Sequence, residues 1–203
     1  LDTFNKLDII PEKVIKYIRV DNYYKIITDK NKEYFAKKIY DSRNIIEKKQ
    51  QLVQHFYGLN ITTQEKKFND KKLTLMHFTK EENFLHFIYV LPFTEKEALV
   101  ESTVFSKEVC EEDWYRKNIY EFLKTNNITN YKEISSEQGI IPMYFAEEKI
   151  SKDLNIFNIG IRGGACKPST GYAFSFLIKQ IQLLKNNNKN YVHIHKYIEK
   201  LMD

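Results

Sequence analysis

Only six glycines and four prolines occur in 203 residues, yet Gly160, Gly163, Gly164, Pro168 and Gly171 fall within twelve consecutive positions. Glycine reaches left-handed backbone without strain and lets main chain approach another surface closely. A chain so poor in both residues therefore concentrates its backbone freedom where a tight turn or a close contact requires it. The run Phe157 to Ile161 before the cluster reads as a short buried strand, and the pattern from Thr170 to Leu184 after it as a long helix. Such strand-to-helix junctions hold phosphates and cofactors in α/β folds, and they also serve as plain turns. The residues themselves leave both readings open. Neither Gly-x-Gly-x-x-Gly nor the Walker pattern is present.

Elsewhere the punctuation is polar. Val14 to Val20 and Tyr23 to Thr28, separated by Asp21-Asn22, read as a helix end or strand followed by a hairpin. Leu73 to Phe78, Asn83 to Phe93 and Ala98 to Phe105 predict an antiparallel meander with Thr94 to Glu97 as one connection. Apolar residues among charges between Glu108 and Asn126 predict an amphipathic helix ended by Asn126-Asn127. Tyr131 to Ile134 and Ile140 to Phe145 read as two extended pieces with a turn at Gly139. Tyr191 to Met202 predicts a last helix. The expected class is α/β: a mixed sheet with helices plus an antiparallel substrate-side sheet.

Two acids stand out. Alternation places Glu101 on one strand face with Leu99, Thr103 and Phe105. A carboxyl flanked by apolar neighbours holds its proton to higher pH, as a general acid must, whereas an edge-strand glutamate pointing to solvent does not. Glu137, beside Gly139, is either a second acid/base group or a solvated loop acid.

Composition narrows the classes. With 42% hydrophobic and 14% aromatic residues the chain can build a core. Phe87 to Phe93, the longest uninterrupted apolar run, is far shorter than the ~20 residues of a spanning helix. The sequence starts Leu-Asp-Thr-Phe, without an initiator Met or signal-peptide pattern, which reads as a start inside a longer chain. Two cysteines make no disulfide framework, so a reducing, cytoplasmic setting is expected. The net charge of +5 comes mostly from dispersed lysines interleaved with acids, a solvated surface and not a nucleic-acid face. His77 and His86 lie away from paired cysteines, and His193 and His195 fall on different sides of a helix, so no metal is assigned.

Taken in order, Tyr40-Asp41-Ser42-Arg43, Gln54-His55-Phe56-Tyr57-Gly58, Phe87 to Phe93, Ala98 to Thr103, Glu137 to Met143, and Ile159-Gly160 through Gly163-Gly164 to Lys167-Pro168-Ser169-Thr170-Gly171-Tyr172 resemble the lycopene cyclase family of flavoproteins. The resemblance covers about Tyr40 to Phe174. It implies an FAD/NAD(P)-binding flavoprotein-like fold, incomplete at the N-terminus. The implied divisions are partial FAD-domain strands and a hairpin over 1–50, a β-sheet substrate domain over 51–150, and FAD-domain strand, loop and helices over 151–203.

The implied activity is a redox-neutral isomerisation that closes the ends of lycopene, or a related linear carotenoid, into β-type rings. FAD is expected in reduced form with NAD(P)H as reductant, and the segment alone is expected to be inactive. Glu101 matches the family's catalytic glutamate and Glu137 is the second candidate. Gly160, Gly163, Gly164, Pro168, Thr170 and Gly171 are assigned to the cofactor, with a helix N-terminus at Ser169 to Gly171 supplying donors. Phe93, Thr103 and Tyr172 are assigned to substrate. Ser102 replaces the second acid of the family's paired motif, and His77 stands where the family tends to carry Asp. A carotene substrate implies peripheral contact with a membrane surface. A flavin-dependent isoprenoid hydroxylase or reductase and a non-catalytic lipid or carotenoid binder are the competing readings.

Overall fold

The β-branched residues Val14, Ile15, Ile18 and Val20 favour extended backbone in the opening segment. The computed structural model, which describes residues 7–43, 51–144 and 153–186, makes it β1 (Val14–Val20). It pairs antiparallel with β2 (Tyr23–Thr28), which pairs with β3 (Glu33–Ala36). The turns use Asp21 and Asn31 at φ of 51° and 57°, residue types whose short polar side chains tolerate left-handed backbone. The short β4 (Ile39–Asp41) runs parallel to a late strand, Ile156–Asn158. These strands belong to one compact unit, formed by Leu1–Arg43, Glu148–Ala165 and Leu177–Asp203, while Asn44–Glu147 and Cys166–Phe176 form another.

The second unit is built on β5 (Val53–Thr63), whose residues Val53, His55, Tyr57, Leu59, Ile61 and Thr63 are all buried. Around it lie β6 (Thr74–Phe78), β7 (Leu85–Pro92), β8 (Glu97–Ser106) and β9 (Tyr131–Pro142) in the order β6-β7-β8-β5-β9, every neighbouring pair antiparallel. Helix α1 (Glu112–Thr125) has acids in its first turn and Lys124 in its last, which suits the helix dipole. Its buried stripe of Tyr115, Ile119 and Leu123 packs with Leu59, Ile61, Val100 and Val104 on one face of the sheet. The expected meander and helix are therefore present.

Several expectations are corrected. Tyr131 to Pro142 is one strand without a turn at Gly139, because that glycine makes room for the Phe56 ring and does not bend the chain: a Cβ there would lie 2.6 Å from Phe56 Cζ. The strand β10 (Ile156–Asn158) ends before Ile161, since Gly160 at φ 64° opens a 3₁₀ turn over Gly160–Gly163. The following helix α2 (Phe174–Asn186) starts four residues after Thr170. Thr170 and Gly171 instead turn back, both amides donating to the Lys167 carbonyl. Glu101 is on an interior strand and not an edge. The helix expected over Tyr191 to Met202, and Phe145, lie outside the described residues.

Two buried histidines flank Val104 on the α1 side, His55 through β5 and His86 through β7. His55 bonds the Tyr115 hydroxyl and, at 2.8 Å, Ser106. His86 lies between the hydroxyls of Thr79 at 2.7 Å and Ser102 at 2.8 Å, under Trp114. Burial pushes both imidazoles down, His86 to about 4. In the unfolded chain His86 takes up its proton near 6.5, so folding loses free energy as pH falls from about 6.5 towards 4 and is insensitive to this group above that range. Thermal melts across that interval should show the midpoint falling with acid, with a shallower slope in His86→Gln. Equal slopes would exclude His86 as a source.

Candidate active site

The sheet face opposite α1 is organised in rows set by strand register. Tyr89, Glu101, Gly58 and Glu137 stand side by side across β7, β8, β5 and β9. Phe87, Thr103, Phe56 and Gly139 form the next row, and Leu85, Phe105, Gln54 and Ile141 the one after. On the other side lie Leu91, Leu99, Asn60 and Ser135. Two carboxylates thus lie one strand to either side of a glycine, with Cα atoms roughly 9.5 Å apart at ordinary strand spacing. Gly58 makes the approach possible: a Cβ there would meet Leu99 Cδ1 at 2.9 Å, Glu137 Cγ at 3.2 Å and Glu101 Cβ at 3.6 Å.

The two acids differ in environment. Glu101 is half-buried among Leu99, Phe87 and Phe105, and Glu137 is exposed on the outer strand. Burial pushes the Glu101 carboxyl up, the Thr103 hydroxyl lowers it by donating to Oε1 at 2.5 Å, and the charge of Glu137 raises it again. The net shift is upward. Thr103 is fully buried and fixes the orientation of the carboxyl. Ser102, in the position of a second acid, faces the other way and bonds His86. The arrangement offers one carboxyl inclined by burial to keep its proton and, across Gly58, a second, solvent-exposed carboxyl whose charge acts on the first, a pairing of the kind acid/base chemistry uses.

The glycine cluster divides between the units. Gly160, Gly163 and Gly164 belong to the first, where Gln180 holds the turn by accepting from Gly160 N at 2.8 Å and donating to Gly163 O at 3.2 Å. Gly163 has no room for a Cβ, which would lie 2.3 Å from the Asn158 carbonyl oxygen. Beside this turn Asp41 accepts from Arg43 Nε at 2.9 Å and pairs with Arg162 at 3.3 Å. Burial pushes Asp41 up, but the Arg43 hydrogen bonds and both guanidinium charges win and hold it below the usual carboxylate range.

Pro168, Thr170, Gly171 and Tyr172 belong to the second unit. The Thr170 hydroxyl accepts from Tyr172 N at 3.3 Å, and Tyr172 is exposed. The expected helix N-terminus with free donors at Ser169 to Gly171 is absent, since the amides of Thr170 and Gly171 are bound to Lys167 O. Gly171, at φ 70°, sits against Gln54: a Cβ would be 2.2 Å from Gln54 Oε1. That oxygen is buried without a hydrogen-bond partner. Gln54 is four residues along β5 from Gly58, about 13 Å at the strand rise. Phe93 is exposed in the β7–β8 turn, where its amide donates to Glu97 O at 2.8 Å. Among the described residues no set of three His, Cys, Asp or Glu could hold a metal.

Sequence reading missed β5 as an element and Gly58 as the spacer between the acids, although the alternation Val53, His55, Tyr57, Leu59, Ile61 was there to be read. The family model described as "Lycopene cyclase protein" matches residues 7–190. The chain belongs to the lycopene cyclase family. No curated protein matches the sequence. Among solved structures, a geranylgeranyl bacteriochlorophyll reductase-like protein from Thermoplasma acidophilum shares 13% identity and a TM-score of 0.62, over 94% of this chain and 53% of that one. A tryptophan 6-halogenase from Streptomyces toxytricini shares 12% identity and a TM-score of 0.56, over 99% and 42%. A mutant of the halogenase PltM in complex with FAD shares 10% identity and a TM-score of 0.57, over 92% and 46%. This family member therefore has the α/β flavoprotein-like fold expected from its sequence and spans about half the length of the structures it resembles.

The spacer role of Gly58 can be measured. Gly58→Ala forces Leu99 and Glu137 to move and should destabilise the fold by about 1–3 kcal/mol, as overpacking does. Adding Leu99→Val should give a double variant less destabilised than the two single losses summed, by denaturant titration. Full additivity would show that the methyl is accommodated without touching Leu99.

Proposed function

We propose that this chain carries the catalytic sheet of a lycopene cyclase that closes the ends of lycopene into β-type rings, forming beta-carotene without net redox change. The reading is carried by Glu101 and Glu137 on either side of Gly58 on a face that also carries Phe56, Phe87, Leu99 and Phe105. Glu101, its proton retained by burial, donates to the terminal double bond and leaves a tertiary cation. The neighbouring double bond attacks that cation and forms the new carbon–carbon bond. A proton then leaves the ring carbon for a carboxylate, so protons and electrons balance. The Glu137 charge and the aromatic faces stabilise the cation, and the apolar wall keeps out the water that would trap it.

The competing hydroxylase, reductase or binder readings give the paired acids no task. Whole-protein activity is part of the proposal, since the chain spans only part of the related structures.

FAD, kept reduced by NAD(P)H, would supply negative charge near the cation when bound. The residues present fit it in one respect: the unpaired, buried Gln54 Oε1 beside Gly171 suits a ring N–H donor. The cofactor contacts assigned to Gly160, Gly163 and Gly164 in the first unit, and those assigned to Pro168, Thr170 and Gly171 in the second, belong to the same proposal. Phe93, Thr103 and Tyr172 are proposed on the substrate side, Thr103 acting through Glu101. Lycopene resides in the bilayer, so peripheral contact with the cytoplasmic membrane surface belongs to the same reading. Among the described residues no helix is long and apolar enough to cross a membrane.

In the full-length protein Glu101→Gln should lower cyclisation by at least ~100-fold, the lower end of what a general acid contributes, with retained flavin absorbance and fold. Pigment analysis of lycopene-accumulating cells reads the outcome. A rate within about tenfold of wild type, ~1.4 kcal/mol of barrier, would reject Glu101 and pass the role to Glu137. Wild-type rate should decline as pH rises through the raised Glu101 value. Glu137→Gln removes the charge that raises it, so its alkaline limb should move to lower pH; a limb unmoved or displaced upward would break the proposed coupling.

A further inference from the structure

A cavity of about 810 Å³ opens where β8 ends and α1 begins, lined by Leu52, Phe84, Phe105, Val109, Cys110 and Trp114. Its size falls within the range of about 300–1,000 Å³ seen for small-molecule sites. Lys107, Glu108, Glu111 and Asn83 supply its polar groups. No step of the proposed chemistry uses it. Yet Phe105 joins it to the candidate site: its side chain shares the strand face of Glu101, four residues back along β8, and its ring lies 6.2 Å from that of Phe87. Leu85, Phe87 and Phe105 are apolar side chains on the same strand face in the two rows between the Glu101 row and the cavity, Leu85 exposed and Phe87 buried. The other half of the same rows is occupied, because Gly171 packs against Gln54 and Ile141. An extended apolar chain with one end at Glu101 is thereby confined to the β7–β8 side.

We propose that this cavity is a second binding subsite, which takes the non-reacting tail of the linear isoprenoid whose other end lies at Glu101. The proposal rests on the reading of Glu101 as the reacting end. Length selection follows: the cavity holds a substrate long enough to reach past Phe105 and leaves a shorter one with the same end group unheld. Cys110 is a wall and not a nucleophile here, since burial pushes its thiol up.

Trp114 is the single tryptophan of the chain, so occupancy can be read separately from turnover. The test is contact quenching of Trp114 emission in full-length protein carrying Glu101→Gln. The probe is an acyclic isoprenoid of lycopene length brominated at one end, delivered in detergent micelles, with the unbrominated chain and a brominated half-length chain as controls. Any tryptophans outside this chain are first replaced by phenylalanine.

Emission should fall at least twofold with the full-length brominated chain and stay within a tenth of its starting value with either control. Leu52→Phe with Val109→Phe, both at positions more than two-fifths exposed (44% and 47%) and so tolerant of change, should restore it. Equal quenching in this double variant, by the half-length chain, or none by the full-length chain would each overturn the subsite. Cyclisation assays on the Glu101-intact proteins separate the two ideas: quenching without wild-type cyclisation keeps the cavity and rejects the cyclase reading, and cyclisation without quenching does the reverse.

Discussion

The absence of a side chain at Gly58 is the constraint on which the candidate site depends. Across a flat sheet two strands apart, acids are usually separated by whatever side chain the middle strand presents. Here the middle strand presents none, and Glu137 leans over the vacancy towards the Glu101 row. Their unlike surroundings then follow from sheet order alone. β8 is covered on both sides by neighbours, so its glutamate is drawn from water, while β9 lies outermost among the described strands and leaves its glutamate hydrated. One missing methyl group thus couples two carboxyls that the backbone would otherwise hold apart.

The opposite face supplies rigidity. Val100 and Val104 are fully buried under α1, and the hydroxyls of Ser102 and Ser106 are taken up by His86 and His55. Thr103 and Glu101 therefore stand on a strand whose alternate residues have no freedom to move. In the other unit a different device has the same effect: the Gln180 amide satisfies both a donor and an acceptor of the Gly160–Gly163 turn from one side chain. Cost-free satisfaction of buried main-chain groups is what lets so tight a turn persist in the interior.

Legibility in the sequence followed the range of the interactions involved. The β7–β8 hairpin and α1 were visible because alternation, polar turns and a helical stripe are local signals. The extra turn expected at Gly139 was misplaced because glycine was read as punctuation, when its neighbour is Phe56 from another strand. The same error shortened the loop before α2, where Lys167 closes a turn that no pattern announces. Glu101 could be placed on an apolar face from its neighbours, but its partner could not, since Glu137 meets it only through the register of β5 with β8 and β9. Both acids were candidates from their local sequence, and the resemblance to the lycopene cyclases added weight to Glu101; the strand pairing supplies their relation.

β9 has a further consequence. Lys132, Glu133, Ser135, Ser136, Glu137 and Gln138 are all exposed along this outermost strand. Among the described strands β9 lies at the edge of its sheet, and charge along such a strand discourages a second chain from adding on. Glu137 is one of these edge charges as well as the neighbour of Glu101 across Gly58. A more apolar surface on this side of the sheet is then limited from outside, because each charge removed from this strand also removes a guard against self-association.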